Sequence, residues 1–187
     1  GLVLARGACP KRPINRGHST ATKPGDPFVL GPDYKKTIEK DEGPRASQTL
    51  EALQKLRPFF DRRHGTVTVG NACPITDGAA AVVLMTESTA KERGIVPLGY
   101  MSGYAYAGCD PHRMGLGPVY ATSKLLTQME MSLSDMQLVE LNEAFSVQAI
   151  ACKRAFESDA FAKKELGRDK AVGELDLDLM NVNGGAV

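Results

Sequence analysis

The chain has 187 residues, 23 Lys plus Arg against 22 Asp plus Glu for a formal net charge of +1, and 42% hydrophobic residues. That length suits one ordinary soluble domain, or one with a small appendage, whose core buries about 70% of the surface its extended chain exposes. Near-neutral charge without a long basic run excludes the electrostatic signature of nucleic-acid or anionic-membrane binding, and the longest apolar stretch, residues 79–85, falls far short of the ~18 to 20 residues that span a bilayer.

The opening Gly1-Leu2-Val3-Leu4-Ala5-Arg6 has neither an initiator Met nor the basic-then-apolar layout of a secretory signal, and reads as cut out of something longer. Residues 1–44 hold six of the 11 prolines, with turn signals such as Pro24-Gly25-Asp26-Pro27, and read as loop or linker. From Ser47 the pattern changes. Leu50, Leu53 and Leu56 recur at helical spacing, Ser47 can cap, and Pro58 stops the run. Thr66-Val67-Thr68-Val69 alternates. A turn region over residues 70–78 then leads into residues 79–85, a buried-strand candidate.

Residues 87–93 are helix formers ending at Gly94, and residues 98–107 carry aromatics in a stretch too Gly-rich for a helix, giving the order strand, helix, strand. Gly117-Pro118 opens a helix to about residue 130, because proline fits the first helical position. Residues 138–141 form a short strand followed by a helix over 144–156, and Ser158 caps a further helix ending at Gly167. Residues 175–182 alternate apolar and acidic side chains before Asn183-Gly184-Gly185. Alternating strands and helices predict a layered α/β domain.

Two glycine-rich stretches stop short of nucleotide-binding motifs, and the histidines and cysteines form no cluster. Gly103 to Gly108 has phosphate-loop spacing, but Cys109-Asp110 stands where Lys and Ser/Thr are needed. Gly115-Leu116-Gly117 begins a dinucleotide fingerprint that Tyr120 breaks at the third glycine position. His18, His64 and His112 have no nucleophile nearby, so none is a candidate base. The four cysteines, Cys9, Cys73, Cys109 and Cys152, are scattered without Cys-x-x-Cys or zinc spacing, which predicts free thiols in a reducing compartment and no metal site.

Asn142-Glu143-Ala144-Phe145 is the most informative tetrapeptide. It places an amide and a carboxylate where a buried strand ends and a helix begins, the edge that hosts active sites in α/β folds. The Asn142 amide can hold a water or an oxyanion, with Glu143 orienting it. The same residues also suit plain helix capping, and that alternative stays open here. Asn183-Gly184-Gly185 is either a bend presenting backbone N–H groups to a ligand or a hairpin turn.

Five stretches in the same order resemble the thiolase family: Gly65-Thr66-Val67-Thr68 with Gly70-Asn71-Ala72, Asp77-Gly78-Ala79-Ala80-Ala81, residues 114–119, residues 142–145, and residues 181–186. The similarity runs from about Arg45 to the end, and its flavour is that of the trifunctional-type 3-ketoacyl-CoA thiolases of fatty-acid oxidation. Pro58-Phe59-Phe60-Asp61-Arg62-Arg63-His64-Gly65, Thr86-Glu87-Ser88, Val96-Pro97-Leu98-Gly99-Tyr100 and Phe161-Ala162 carry that flavour. One departure is Asn142, where that branch often has His.

The resemblance implies an α/β/α thiolase-like half, incomplete, with residues 1–44 ending a loop insertion and residues 45–187 forming part of the C-terminal domain. It implies an acyltransferase that cleaves 3-ketoacyl-CoA with CoA through an acyl-cysteine, the nucleophilic cysteine and the Gly-His-Pro histidine lying outside this chain, so that the chain alone is inactive. Asn142 and Glu143 would be catalytic. Val69, Gly70 and Cys73 would line the pantetheine channel, Met114 and Phe145 the acyl pocket, and Asn183 and Gly184 the neighbouring bend. No cofactor is implied beyond coenzyme A as substrate. Implied partners are acyl-CoA, CoA, further copies of the chain and a hydratase/dehydrogenase subunit, in the cytoplasm of a bacterium or in mitochondria or peroxisomes of a eukaryote. A non-catalytic thiolase-like CoA-binding or assembly subunit and a biosynthetic acetoacetyl-CoA thiolase are the alternatives.

Overall fold

The chain is described from a computed structural model, which covers residues 45–75 and 81–187 together with the backbone of three short strands nearer the start. Those strands are β1 (Leu2–Ala5), β2 (Phe28–Leu30) and β3 (Lys36–Ile38), and the fourth strand is β4 (Leu138–Leu141). β1 pairs antiparallel with β4, Leu2 opposite Leu141 and Ala5 opposite Leu138, while β2 and β3 pair with each other. All three early strands fall within the segment read as loop, where runs of three or four residues are too short to display an alternation.

Helix α1 (Leu50–Gln54) starts at Thr49, whose hydroxyl accepts from the Ala52 N–H at 3.2 Å, and not at Ser47. α2 (Glu87–Glu92) is capped by Thr86 and stops at Gly94, whose φ of +64° a glycine adopts without strain. A 3₁₀ turn, Pro111–Leu116, feeds α3 (Gly117–Gln128). The buried positions of α3 are Val119, Thr122, Ser123 and Leu126, the i, i+3, i+4, i+7 stripe of an amphipathic helix.

β4 buries Val139 and Leu141 and leaves Leu138 and Glu140 only half-covered, the period-two signature of a strand with one face on a core. It runs into α4 (Ser146–Phe156), whose covered face is Gln148, Cys152, Ala155 and Phe156. Ser158 then accepts from the Phe161 N–H at 3.1 Å to start α5 (Asp159–Phe161), which widens into a π-helical turn, Ala162–Leu166, and ends at Gly167 with φ of +64°. One apolar cluster joins these pieces, with Val119 and Leu126 from α3, Val139 and Leu141 from β4, Phe156 from α4, and Leu175 beyond it. Phe156 is wholly buried. Burying such a side chain stabilises by about 1.5–3 kcal/mol.

Two strand expectations are corrected. Residues 81–85 form no strand, and Val83 is 85% exposed; residues 79 and 80 lie outside the described residues. Residues 98–107 are likewise irregular, with Leu98, Tyr104 and Tyr106 exposed. Apolar composition marks a segment as fit for a sheet, but a strand needs a neighbour to receive its N–H and C=O groups. Neither segment has one among the described residues. Residues 66–68 are irregular and Val69 opens a turn, so no strand forms there, and residues 175–182 form a 3₁₀ turn, Leu177–Leu179, followed by a single parallel bridge from Met180 to Val139. Among the described residues no helix is long and apolar enough to cross a membrane.

Candidate active site

The site grows from the C-terminal tip of β4. Phe145, in extended conformation with φ of −148°, is the residue that precedes the first turn of α4. Asn142 therefore lies three positions outside the cap and does not close the helix. Its side chain is exposed, and its amide makes no hydrogen bond to a described residue. The capping alternative for Asn142 is thereby excluded, and a strand-tip amide remains with both donors and its acceptor open to a ligand.

Against this tip lies the turn that contains Gly70 and Cys73. The Asn71 side chain closes it, its Oδ1 accepting from the Thr68 N–H at 2.8 Å and its Nδ2 donating to the Thr66 carbonyl at 3.0 Å. The turn then pairs with the segment after β4. Cys73 N–H donates to the Ala144 carbonyl at 3.0 Å, Ser146 N–H donates to the Asn71 carbonyl at 3.0 Å, and Ala72 bridges Phe145. A Cβ at Gly70 would press on methyls of Leu53 in α1 and of Leu56 just beyond it, both at 2.6 Å, so the turn packs closely there. The Phe145 ring stands edge-on to Phe60 with centroids 6.2 Å apart.

The third wall is the segment after Met180. Asn181, in left-handed conformation with φ of +50°, grips the last residue of β4. Its Oδ1 accepts from the Leu141 N–H at 2.8 Å and its Nδ2 donates to the Leu141 carbonyl at 2.9 Å. Gly184, with φ of +110°, donates to the Asn181 carbonyl at 2.9 Å and turns the chain toward Glu143. Glu143 Oε2 then accepts from the N–H groups of Ala186 at 3.0 Å and Val187 at 3.2 Å. A Cβ at Gly185 would fall inside that carboxylate, so glycine is what lets backbone and Glu143 meet. Asn183-Gly184-Gly185 thus turns the chain so that its backbone meets Glu143.

Met114 sits on the 3₁₀ turn whose next residue, Gly115, is tied to α4. Gly115 presents its carbonyl to Gln148 Nε2 at 3.1 Å and to Cys152 Sγ at 3.2 Å, and a Cβ at Gly115 would press Gln148 Cγ at 2.8 Å. The Met114 side chain is 65% exposed. Val69 also points outward, Asn183 is half-buried, and neither makes a side-chain hydrogen bond to a described residue.

Of the expected site residues, the structure brings together Gly70, Cys73, Asn142, Glu143, Phe145 and Gly184 by direct pairing or shared turns. Asn71, Asn181 and Gln148 hold that arrangement and were not singled out from the sequence. Asn71 sits inside a quoted motif, and so does Asn181; the side-chain-to-backbone role that Asn takes up in turns is the signal that could have found them.

Electrostatically the tip is acidic but not ligand-like for metals: no group of three or more metal-binding side chains occurs among the described residues. Burial, with the Glu143 charge as a lesser cause, raises the Glu140 carboxyl above its usual range. The Cys152 thiol is pushed up to about 11 by burial, which leaves it a neutral packing group and not a nucleophile. What the geometry offers chemically is an exposed amide between two backbone bends, one of them fixed by a carboxylate.

Residues 28–88 match the family model described as thiolase, N-terminal domain, and residues 95–187 the model described as thiolase, C-terminal domain. A 3-ketoacyl-CoA thiolase of Alteromonas mediterranea is 45% identical over 182 residues, covering 92% of this chain and 42% of the relative. The crystal structure of human mitochondrial 3-ketoacyl-CoA thiolase superposes with a TM-score of 0.66 at 44% identity, over 81% of this chain and 34% of that one. The dimeric peroxisomal thiolase of Saccharomyces cerevisiae does so with a TM-score of 0.68 at 36% identity, over 86% and 36%. The chain spans about two-fifths of the length of the curated relatives it matches. With the two thiolase family models matched in order over residues 28–88 and 95–187, and with a relative 45% identical over 92% of the chain, the chain belongs to the thiolase family.

Proposed function

We propose that these residues belong to a 3-ketoacyl-CoA thiolase, an acyltransferase that splits a 3-ketoacyl-CoA with free CoA into acetyl-CoA and a shortened acyl-CoA. The observation that carries the reading is Asn142, an exposed amide not consumed in capping, standing between the two bends. In the first half-reaction a cysteine thiolate bonds to the 3-keto carbon, the bond between C2 and C3 breaks, and the acetyl-CoA enolate takes up a proton. In the second, the CoA thiolate displaces the cysteine sulfur from the acyl carbon.

Each step loads negative charge onto an oxygen, and donors placed in advance stabilise it without reorganising. The Asn142 amide oxygen accepts one O–H of a water, leaving the other to donate to that oxygen. Glu143 fixes the backbone of residues 186 and 187 beside it. The turn with Val69, Gly70 and Cys73 lines the pantetheine arm, Met114 and Phe145 face the acyl chain, and Asn183 and Gly184 shape the bend. We place the nucleophilic cysteine and the partner histidine outside residues 1–187. Buried Cys152 is unsuited to the role, and none of Cys9, Cys73 and Cys109 stands in a nucleophile motif of the family. Free thiols accord with a reducing intracellular compartment, and the dimeric yeast relative supports a homo-oligomer.

The test is thiolysis by the full-length protein. With 3-ketoacyl-CoA and CoA, acetyl-CoA and the shortened acyl-CoA should appear in equal amounts, while the 187-residue chain alone should form neither. A full-length protein that binds CoA but yields no acetyl-CoA favours the assembly-subunit alternative.

A further inference from the structure

The turn that carries Met114 is tied on both flanks. On one side Arg113 leaves helical geometry, with φ of −122° and ψ of 27°, and extends its guanidinium to Glu165 on the π-helical turn. Nη1 donates to Oε1 at 3.2 Å and Nη2 to Oε2 at 3.3 Å, a two-pronged pair, and Tyr120 of α3 adds its O–H to Oε2 at 3.1 Å. On the other side the Gly115 carbonyl is held by Gln148 and Cys152 of α4. Gln148 is only 8% exposed, and its Nε2 must face that carbonyl, so the amide cannot flip even though Oε1 has no partner. Of residues 113 to 115, only the Met114 side chain is untied.

We infer that the Arg113–Glu165 pair positions Met114 and so sets the acyl-chain length the site accepts, which makes Glu165 a specificity-determining positioning residue. The inference rests on the thiolase reading of Met114. An ion pair this near the surface adds little to folding stability, whereas a fork of two parallel hydrogen bonds fixes direction. The Arg113 guanidinium holds the Glu165 carboxyl below the usual range, so the pair is charged at neutral pH. Its effect therefore belongs in the geometry of the turn. Without the pair, Arg113 keeps its N–H bond to the Asp110 carbonyl at 2.8 Å and a wider approach of 3.8 Å to the Asp110 carboxylate, but loses its tie to the π-helical turn, so the turn resettles about the Gly115 anchor and carries Met114 with it.

The experiment compares wild type, Glu165→Gln, Tyr120→Phe and Met114→Ala in the full-length protein, with 3-ketoacyl-CoA substrates from four carbons upward and thermal melting as a control. Glu165→Gln keeps an acceptor for Tyr120 and removes the charge that holds the fork. Expected is a shift in the long-chain to short-chain ratio of kcat/KM by roughly tenfold, the scale on which an apolar pocket reads chain length, carried by KM and in the same direction as Met114→Ala. Acetoacetyl-CoA turnover and melting temperature should stay near wild type, and Tyr120→Phe should leave the ratio in place. An unchanged ratio in Glu165→Gln, an equal loss at every chain length with a lowered melting temperature, or a Met114→Ala variant with the wild-type profile overturns the inference. Wild type inactive on every chain length instead overturns the thiolase reading itself.

Discussion

The carboxamide of Asn181 brackets the backbone of Leu141, accepting its N–H at 2.8 Å and donating to its carbonyl at 2.9 Å. The side chain thus acts as one more strand beside β4, ending at the residue before Asn142. Asn181→Ala removes both bonds and leaves a left-handed backbone that Ala tolerates poorly. The expected cost is about 1–3 kcal/mol of folding stability, read by chemical denaturation. Asn181→Gly, which accepts the φ value, should recover part of that loss.

Gly185→Ala and Gly70→Ala should behave differently, although both introduce a clash. At Gly185 the new methyl displaces the Glu143 carboxylate and forfeits its bonds to Ala186 and Val187. At Gly70 it meets leucine methyls that can rotate away without losing a polar contact. Turnover of the full-length protein should therefore collapse in the first variant and fall only modestly in the second. Glu143→Gln, which keeps one acceptor oxygen, should be milder than Gly185→Ala.

Thiol accessibility separates the described cysteines. Cys73 is exposed and Cys152 is buried with its thiol pushed up to about 11. At pH 8, iodoacetamide followed by peptide mapping should label Cys73 and spare Cys152 until denaturant is added. The pH dependence has a definite sign. Unfolded Cys152 ionises from about pH 8.5, while the folded chain keeps its proton to about 11. Its contribution to stability is complete below pH 8.5 and is lost as pH rises toward 11. Cys152→Ala should lack that share of the alkaline decline.

On the acid side, Asp159 Oδ1 accepts the Ala171 N–H at 2.8 Å and Oδ2 meets Lys170 Nζ at 3.2 Å. The backbone bond first, and then Lys170, hold its carboxyl below the usual range. A carboxyl lowered in the folded state stabilises above its unfolded value of about 3.9 and ceases to do so as pH falls through the folded value. Asp159→Asn should lower the melting temperature at pH 7, where the carboxylate contribution is fully present, and converge with wild type as pH falls through the folded value, which flattens that part of the acid transition.

Much of the right half was legible in the sequence because local rules and packing agree there. Pro118 marks the start of α3, period-two burial marks β4, and Ser158 and Gly167 bracket the helical segment between them. The Asn142 tip was legible as a junction. The Asn181 clamp and the Arg113–Glu165 pair were not, since they join residues 40 and 52 positions apart and leave no periodic trace. The exposed segments at 81–85 and 98–107 were misread for the opposite reason. Their composition suits a sheet, but composition does not supply the neighbouring strand.

Thiolysis by full-length Asn142→Ala, beside wild type, bears most directly on the role of the strand-tip amide. The account predicts a fall in kcat of roughly 10²- to 10³-fold, as for other lost oxyanion donors, with an unchanged melting temperature. Turnover within about twofold of wild type, a difference well under 1 kcal/mol in barrier, would contradict it.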